Sequence, residues 1–145
     1  MTVYNLYIYN RAGTLIYYQE WSRKKPMTMS LEEESRLLYG MLFSLKSFSN
    51  RISPLDVQEG VQCYTTNKYK MTLFETPTSL KFVCNTDVNA PGVNEMLQKL
   101  YTQVYVEYVI RNPECKPAEP ITSELFKAKL DETVRMSPAF SSKAA

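Results

Sequence analysis

SLEEESRLLYGMLFSLKSFSNR, residues 30–51, is the best-specified helix in the chain, and its two faces decide how the rest is read. Ser30 is placed to cap the N-terminus, with Glu33 three residues on completing a capping box. Glu32, Glu33 and Glu34 put negative charge on the positive end of the helix dipole, and Glu32 stands four residues before Arg36. At about 100° per residue, Leu37, Leu38, Met41, Leu42, Leu45 and Phe48 fall on one stripe, the expected core face. Phe43 projects about 180° from the centre of that stripe, with Arg36, Tyr39, Gly40 and Ser47 around it. Gly40 costs about 1 kcal/mol relative to Ala in a helix interior, and small residues beside a ring let another backbone come close. Either the chain's own loop covers Phe43, or the ring is half exposed as single apolar residues often are, or it marks a partner surface. Arg36, Tyr39, Gly40, Phe43 and Ser47 are the candidate subunit-contact residues.

The helix belongs to a chain of 145 residues, 44% apolar, read as one domain over 1–145 with a tail at 137–145 expected to fray. That length buries about two-thirds of its unfolded surface without staples. The formal charge of +2, from 17 basic and 15 acidic residues, gives no field that would point to nucleic acid. Three cysteines, Cys63, Cys84 and Cys115, are widely spaced and odd in number, which argues against a disulfide or metal framework and for a reducing compartment. Cys63 and Cys84 fall in expected strands, where a buried free thiol is the ordinary reading. The start, MTVYNLYIYNRAG, has neither a basic leader nor an unbroken apolar core. With no bilayer-length apolar run and no lipidation motif, a soluble cytosolic protein is expected.

On the N-terminal side of the helix, Val3 to Asn10 and Thr14 to Trp21 are rich in Tyr, Val, Leu and Ile and are joined by Arg11-Ala12-Gly13. That is a β-hairpin, with Gly13 free to take positive φ. Both faces of the first strand are apolar, Tyr4, Leu6 and Ile8 on one and Val3, Tyr7 and Tyr9 on the other, so it is expected inside a sheet covered on both sides. The loop that follows carries Arg23-Lys24-Lys25, a basic run that is either solvated or a contact with acidic lipid or a protein partner. On the C-terminal side, beyond a turn at Pro54-Leu55-Asp56, three strands are expected at Gly60 to Thr66, Tyr69 to Thr76 and Leu80 to Thr86, an antiparallel meander. A second helix runs from Pro91 or Gly92 to Asn112, where Pro113 stops it, with the stripe Val93, Leu97, Leu100, Tyr101, Val104 and Tyr108. A third, about Ser123 to Met136, places Phe126, Leu130 and Val134 on one face and pairs Asp131 with Arg135. The order ββαβββαα predicts an α+β fold, a five-stranded antiparallel sheet with the first helix on one face and the last two on the other.

Covalent chemistry finds little support. The chain has no histidine, which removes the usual general base, the commonest metal ligand and every triad built on them. Its four glycines are too dispersed for a phosphate loop. Asp87 to Gly92 begins like a calcium loop, but Pro91 holds a ligand position and Gln98 replaces the bidentate glutamate. Tyr69 and Lys70 point to opposite faces of a strand. Eleven tyrosines could stack single-stranded nucleic acid, but without a basic groove they are read as sheet core and protein interface. No catalytic residue, cofactor site or metal site is expected.

YNLYIYNRAG, EWSRKK, LLYGMLFSLKSF, SPLD, YKMTLFETPTSLKFVCNTD and SELFKAKLDETVR together resemble, in order and spacing, the subunit 1 family of the trafficking protein particle (TRAPP) complex, in the sedlin/synbindin-like longin group. The resemblance covers nearly the whole chain. It implies a longin-type (SNARE-like) fold with the element order above. It also implies a non-catalytic core subunit of a complex that tethers vesicles between endoplasmic reticulum and Golgi, and that acts as an assembly to exchange guanine nucleotide on a Rab GTPase. The implied partners are a synbindin-like longin subunit and a subunit of the acyl-binding class. The implied place is cytoplasmic, peripheral at endoplasmic reticulum and cis-Golgi membranes. Asn10-Arg11-Ala12-Gly13 is also similar to the start of clathrin-adaptor small chains, which share the fold but fit Tyr69 to Asp87 poorly; a cargo-sorting small chain is the alternative.

Overall fold

Two tyrosine-rich apolar segments build the first hairpin. In a computed structural model describing residues 3–21, 28–54, 63–113 and 119–137, β1 (Val3–Tyr9) pairs antiparallel with β2 (Leu15–Glu20). The connection closes as expected. Gly13 takes φ 85°, and the Asn10 side chain accepts from the Thr14 amide at 2.9 Å. After α1 (Leu31–Ile52) comes the meander β3 (Cys63–Thr65), β4 (Lys70–Glu75) and β5 (Lys81–Thr86). The strands lie in the order β2-β1-β5-β4-β3, every neighbouring pair antiparallel. The first strand is therefore interior, between β2 and β5.

Side chains alternate across this sheet into two apolar layers. Leu6 and Ile8 of β1, with Phe82 and Cys84 of β5, face the last helices; Tyr7, Tyr9, Met71 and Val83 face α1. Val3 departs from the expected grouping: it sits with Leu6 and Ile8, because the β1–β5 register shifts between Val3 and Asn5 and a bulge resets the alternation.

The second helix is not uniform. It begins as α2 (Val93–Lys99) behind Gly92, which takes φ 65°, and continues from Leu100 to Ile110 as a π-helix. The Arg111 amide reaches back five residues to the Val106 carbonyl at 3.1 Å. The wider turn changes which residues meet the sheet. Leu100, Val104, Tyr105 and Val109 are buried, while Tyr101 and Tyr108, placed on the stripe by a 3.6-residue period, are only partly covered. The final helix α3 (Glu124–Met136) agrees with expectation: Ser123 caps it by accepting from the Phe126 amide, and Phe126, Leu130 and Val134 are buried.

Asp131 ties α3 to the first hairpin. Its Oδ1 accepts from Trp21 Nε1 at 2.7 Å and Gln19 Nε2 at 3.1 Å, while Oδ2 accepts from Arg135 Nε at 2.9 Å. The Ile121 amide donates to the Ile16 carbonyl at 2.8 Å, so the chain covers part of its own β2 edge. At the opposite edge all three residues of β3 are exposed. Cys63 is exposed there rather than buried, whereas Cys84, in central β5, is fully buried as expected. No helix among the described residues is long and apolar enough to cross a membrane. Arg23, Lys24, Lys25, Leu55, Asp56, Gly60, Cys115 and the tail 138–145 lie outside the described residues.

Candidate functional site

Ser30 starts α1 in extended backbone, and its side chain accepts from the Glu33 amide at 3.2 Å. Arg36 pairs with Glu32 one turn away; both side chains are about three-quarters in solvent, so the pair contributes little stability. The face turned to the sheet takes only one side of the stripe expected from periodicity, Leu38 and Leu42, with Leu45 half-buried. Only Ser35 and Leu42 are buried along the helix, with Leu31, Leu38 and Tyr39 partly buried against the tyrosine-rich layer. Leu37, Met41 and Phe48 were expected in the core; they stand in solvent, as does Ile52, with Leu37 63% and Phe48 61% exposed.

The tyrosines of β1 explain the difference. Their rings fill the layer but their hydroxyls require acceptors once buried. Tyr9 donates to the Ser35 carbonyl at 2.8 Å and Tyr7 donates to the Glu34 carboxylate. The helix is turned so that its Ser35–Leu42 side meets the sheet. Burial, and secondarily the Glu34 charge, hold the Tyr9 phenol well above its ordinary range.

The candidate contact residues fall into two groups. Tyr39 is engaged within the chain: its ring centroid lies 5.5 Å from that of Tyr9, Lys81 Nζ lies 5.4 Å above it, and it rests against Gly13. Phe43, one residue past buried Leu42 and so about 100° round the helix, flanks the buried face and is 68% exposed. No loop among the described residues covers it. Gly40 faces open space, with nothing within 4 Å of where a Cβ would stand. Arg36 is exposed and Ser47 partly so.

Beside Phe43 a groove of about 360 Å³ runs between α1 and the sheet. Ser47, Lys46 and Asn50 form its helical wall and Leu73, Glu75 and Lys81 its floor, with Lys81 Nζ 3.8 Å from Glu75 Oε1. Chemically the groove sets the Phe43 and Tyr39 rings beside polar groups that can pair. The outward stripe of Leu37, Met41, Phe48 and Ile52 was missed. Its signal was present in the sequence, since α1 carries more apolar residues than one buried face accommodates.

Comparison with known proteins bears on what such a surface serves. The family model described as Sybindin-like matches residues 3–137. Trafficking protein particle complex subunit 1 of Rattus norvegicus is 44% identical over 144 residues, spanning 99% of each chain. The protein of the same description from Dictyostelium discoideum is 40% identical over 142 residues, 97% of this chain and 99% of that one. Trafficking protein particle complex subunit 4 of Dictyostelium discoideum is 32% identical over 133 residues, 90% of this chain and 95% of that one. Among solved structures, Myxococcus xanthus MglB gives a TM-score of 0.47 at 12% identity over 67% of this chain and 75% of that one. With a family model spanning almost its whole length and relatives matched end to end, the chain belongs to the Sybindin-like family, beside the subunit 1 proteins of the trafficking protein particle complex.

Proposed function

We propose that this chain is a non-catalytic core subunit of a vesicle-tethering complex working between endoplasmic reticulum and Golgi. As an assembly that complex exchanges guanine nucleotide on a Rab GTPase. The observation that carries the reading is the 44% identity, over 99% of both lengths, to proteins named for subunit 1 of the trafficking protein particle complex. The exposed apolar face of α1 supports it, because a subunit needs sides to present and Phe43 is 68% open. An exchange factor acts by binding the nucleotide-free GTPase more tightly than the loaded one, so no bond-making residue is required of any subunit.

In this reading Phe43, Gly40, Arg36 and Ser47 meet a neighbouring subunit, and Tyr39 holds α1 in the position that presents them. The neighbours are a synbindin-like longin subunit and one of the acyl-binding class. Similarity to a protein named as subunit 4 fits a pairing of two like domains. The working place is cytoplasmic, peripheral at endoplasmic reticulum and cis-Golgi membranes.

Phe43→Glu tests the assignment. The variant is expected to remain folded by circular dichroism and to lose co-purification with the partner subunits from cell extract. A folded variant that still co-elutes would remove the α1 face from the interface. Capture of clathrin-adaptor large chains in place of other small longin subunits would favour the cargo-sorting alternative.

A further inference from the structure

Four large apolar side chains of α1 stand in solvent along one line. Leu37, Met41, Phe48 and Ile52 are 63%, 36%, 61% and 64% exposed. At about 100° per residue they fall within about 60° of one another, centred about 120° round the helix from buried Leu42. Phe43 lies about 100° from Leu42 in the other direction, so this row and the proposed subunit contact occupy opposite flanks of α1. The row carries its own symmetry. Read from either end, its steps are four, seven and four residues. A like helix laid antiparallel across it, about a two-fold axis passing between Ser44 and Leu45, sets Leu37 against Ile52 and Met41 against Phe48 in both halves. Ser44, exposed and short, stands beside that axis and leaves room for the two backbones to approach. Charge agrees with this direction. The first turn holds Glu32, Glu33 and Glu34 and the last turn Arg51, so an antiparallel pair brings the glutamates of each helix toward the arginine of the other. A parallel pair would set glutamates beside glutamates.

We infer that α1 pairs antiparallel with α1 of a second copy of this chain, through Leu37, Met41, Phe48 and Ile52. A two-fold interface must be self-complementary, and the symmetric row meets that condition; an unlike partner would not require it. The contact goes beyond the proposed subunit contact at Phe43 and uses none of its residues. Four side chains from each copy fall short of the about 800 Å² per partner of a standard interface, so the dimer is weak and depends on concentration.

Sedimentation equilibrium of the purified full chain tests this. Between about 5 and 500 µM the mass is expected to rise from that of one chain toward that of two. Leu37→Gln combined with Phe48→Gln replaces two exposed side chains, so the fold is kept, and is expected to weaken self-association about ten-fold or more. Phe43→Glu, on the other flank, is expected to change it by no more than about two-fold, which separates this contact from the one with partner subunits. Direction is read by cross-linking in a Cys63→Ser, Cys115→Ser chain. Under mild oxidation a mixture of Leu37→Cys and Ile52→Cys chains is expected to link, while neither does so alone. Four results would overturn the assignment: the mass of one chain at every concentration, a dimer that the double glutamine variant leaves intact, a dimer that Phe43→Glu abolishes, or Leu37→Cys chains linking to one another as fast as to Ile52→Cys chains.

Discussion

One methyl group added to Gly13 would test how α1 is held. Gly13 sits at φ 85°, and a Cβ there would lie 2.7 Å from Cζ of Tyr39. Gly13→Ala therefore meets two costs, the left-handed backbone and a ring already packed on Tyr9, and is expected to lose about 2 kcal/mol or more in urea unfolding. Gly40 is the opposite case. With nothing near its missing Cβ and a place in mid-helix, Gly40→Ala should stabilise the isolated chain by about 0.5–1 kcal/mol. If a partner backbone approaches Gly40, the same methyl weakens co-purification while it raises stability, and that crossing of signs is the measurement to make. The turn conformation of Gly13 is legible from its place in a hairpin loop. Its contact with Tyr39 is not, because it joins positions 26 apart that only the packed sheet and helix bring together.

Among the elements, α1 shows how far periodicity reaches. Its existence, its cap and its length follow from Ser30, the three glutamates and the spacing of its apolar residues. Its rotation about its own axis does not follow, because that depends on what the sheet presents, here a layer whose Tyr7 and Tyr9 hydroxyls bond Glu34 and the Ser35 carbonyl. The consequence is measurable. Leu42→Ala is expected to cost about 2–5 kcal/mol, while Leu37→Gln and Phe48→Gln, which a simple wheel would place in the core, should each stay within about 0.5 kcal/mol. A loss at Phe48 as large as at Leu42 would mean that the helix packs on its leucine stripe after all. The π-helix from Leu100 to Ile110 teaches the same lesson. The apolar residues announce a buried helix, but the step between buried positions depends on hydrogen-bond spacing, which LYTQVYVEYVI does not disclose.

For the molecule as a whole, the five-stranded antiparallel sheet, the interior place of β1 and the layering of helices could be read from pattern, while the full strand order could not. The candidate contact surface could be read only in part, since exposure depends on which side of each element the sheet claims. The two layers also share a chemical weakness, and it yields a prediction in alkali. Burial pushes the Cys84 thiol up to about 12, and pushes the Tyr17 phenol up to about 12 with help from the Asp131 and Glu124 charges. Tyr105, in the same layer, and Tyr9, on the α1 side, are raised as well, chiefly by burial. In each case the unfolded chain gives up its proton first. Above the unfolded value the native state holds more protons than the unfolded one, so stability falls as pH rises. The contribution is complete below pH 9, the ordinary thiol value, declines with Cys84 alone from there, and steepens above pH 10 as the phenols join. Each group adds at most about 1.4 kcal/mol per pH unit to the slope. Urea midpoints taken from pH 8 to 11 should show this bend. Cys84→Ala, whatever its own cost in packing, should flatten the stretch between pH 9 and 10 and leave the steeper part in place. A wild-type curve flat to pH 11, or one that Cys84→Ala leaves unchanged in shape, would mean that water reaches these groups in the native layers.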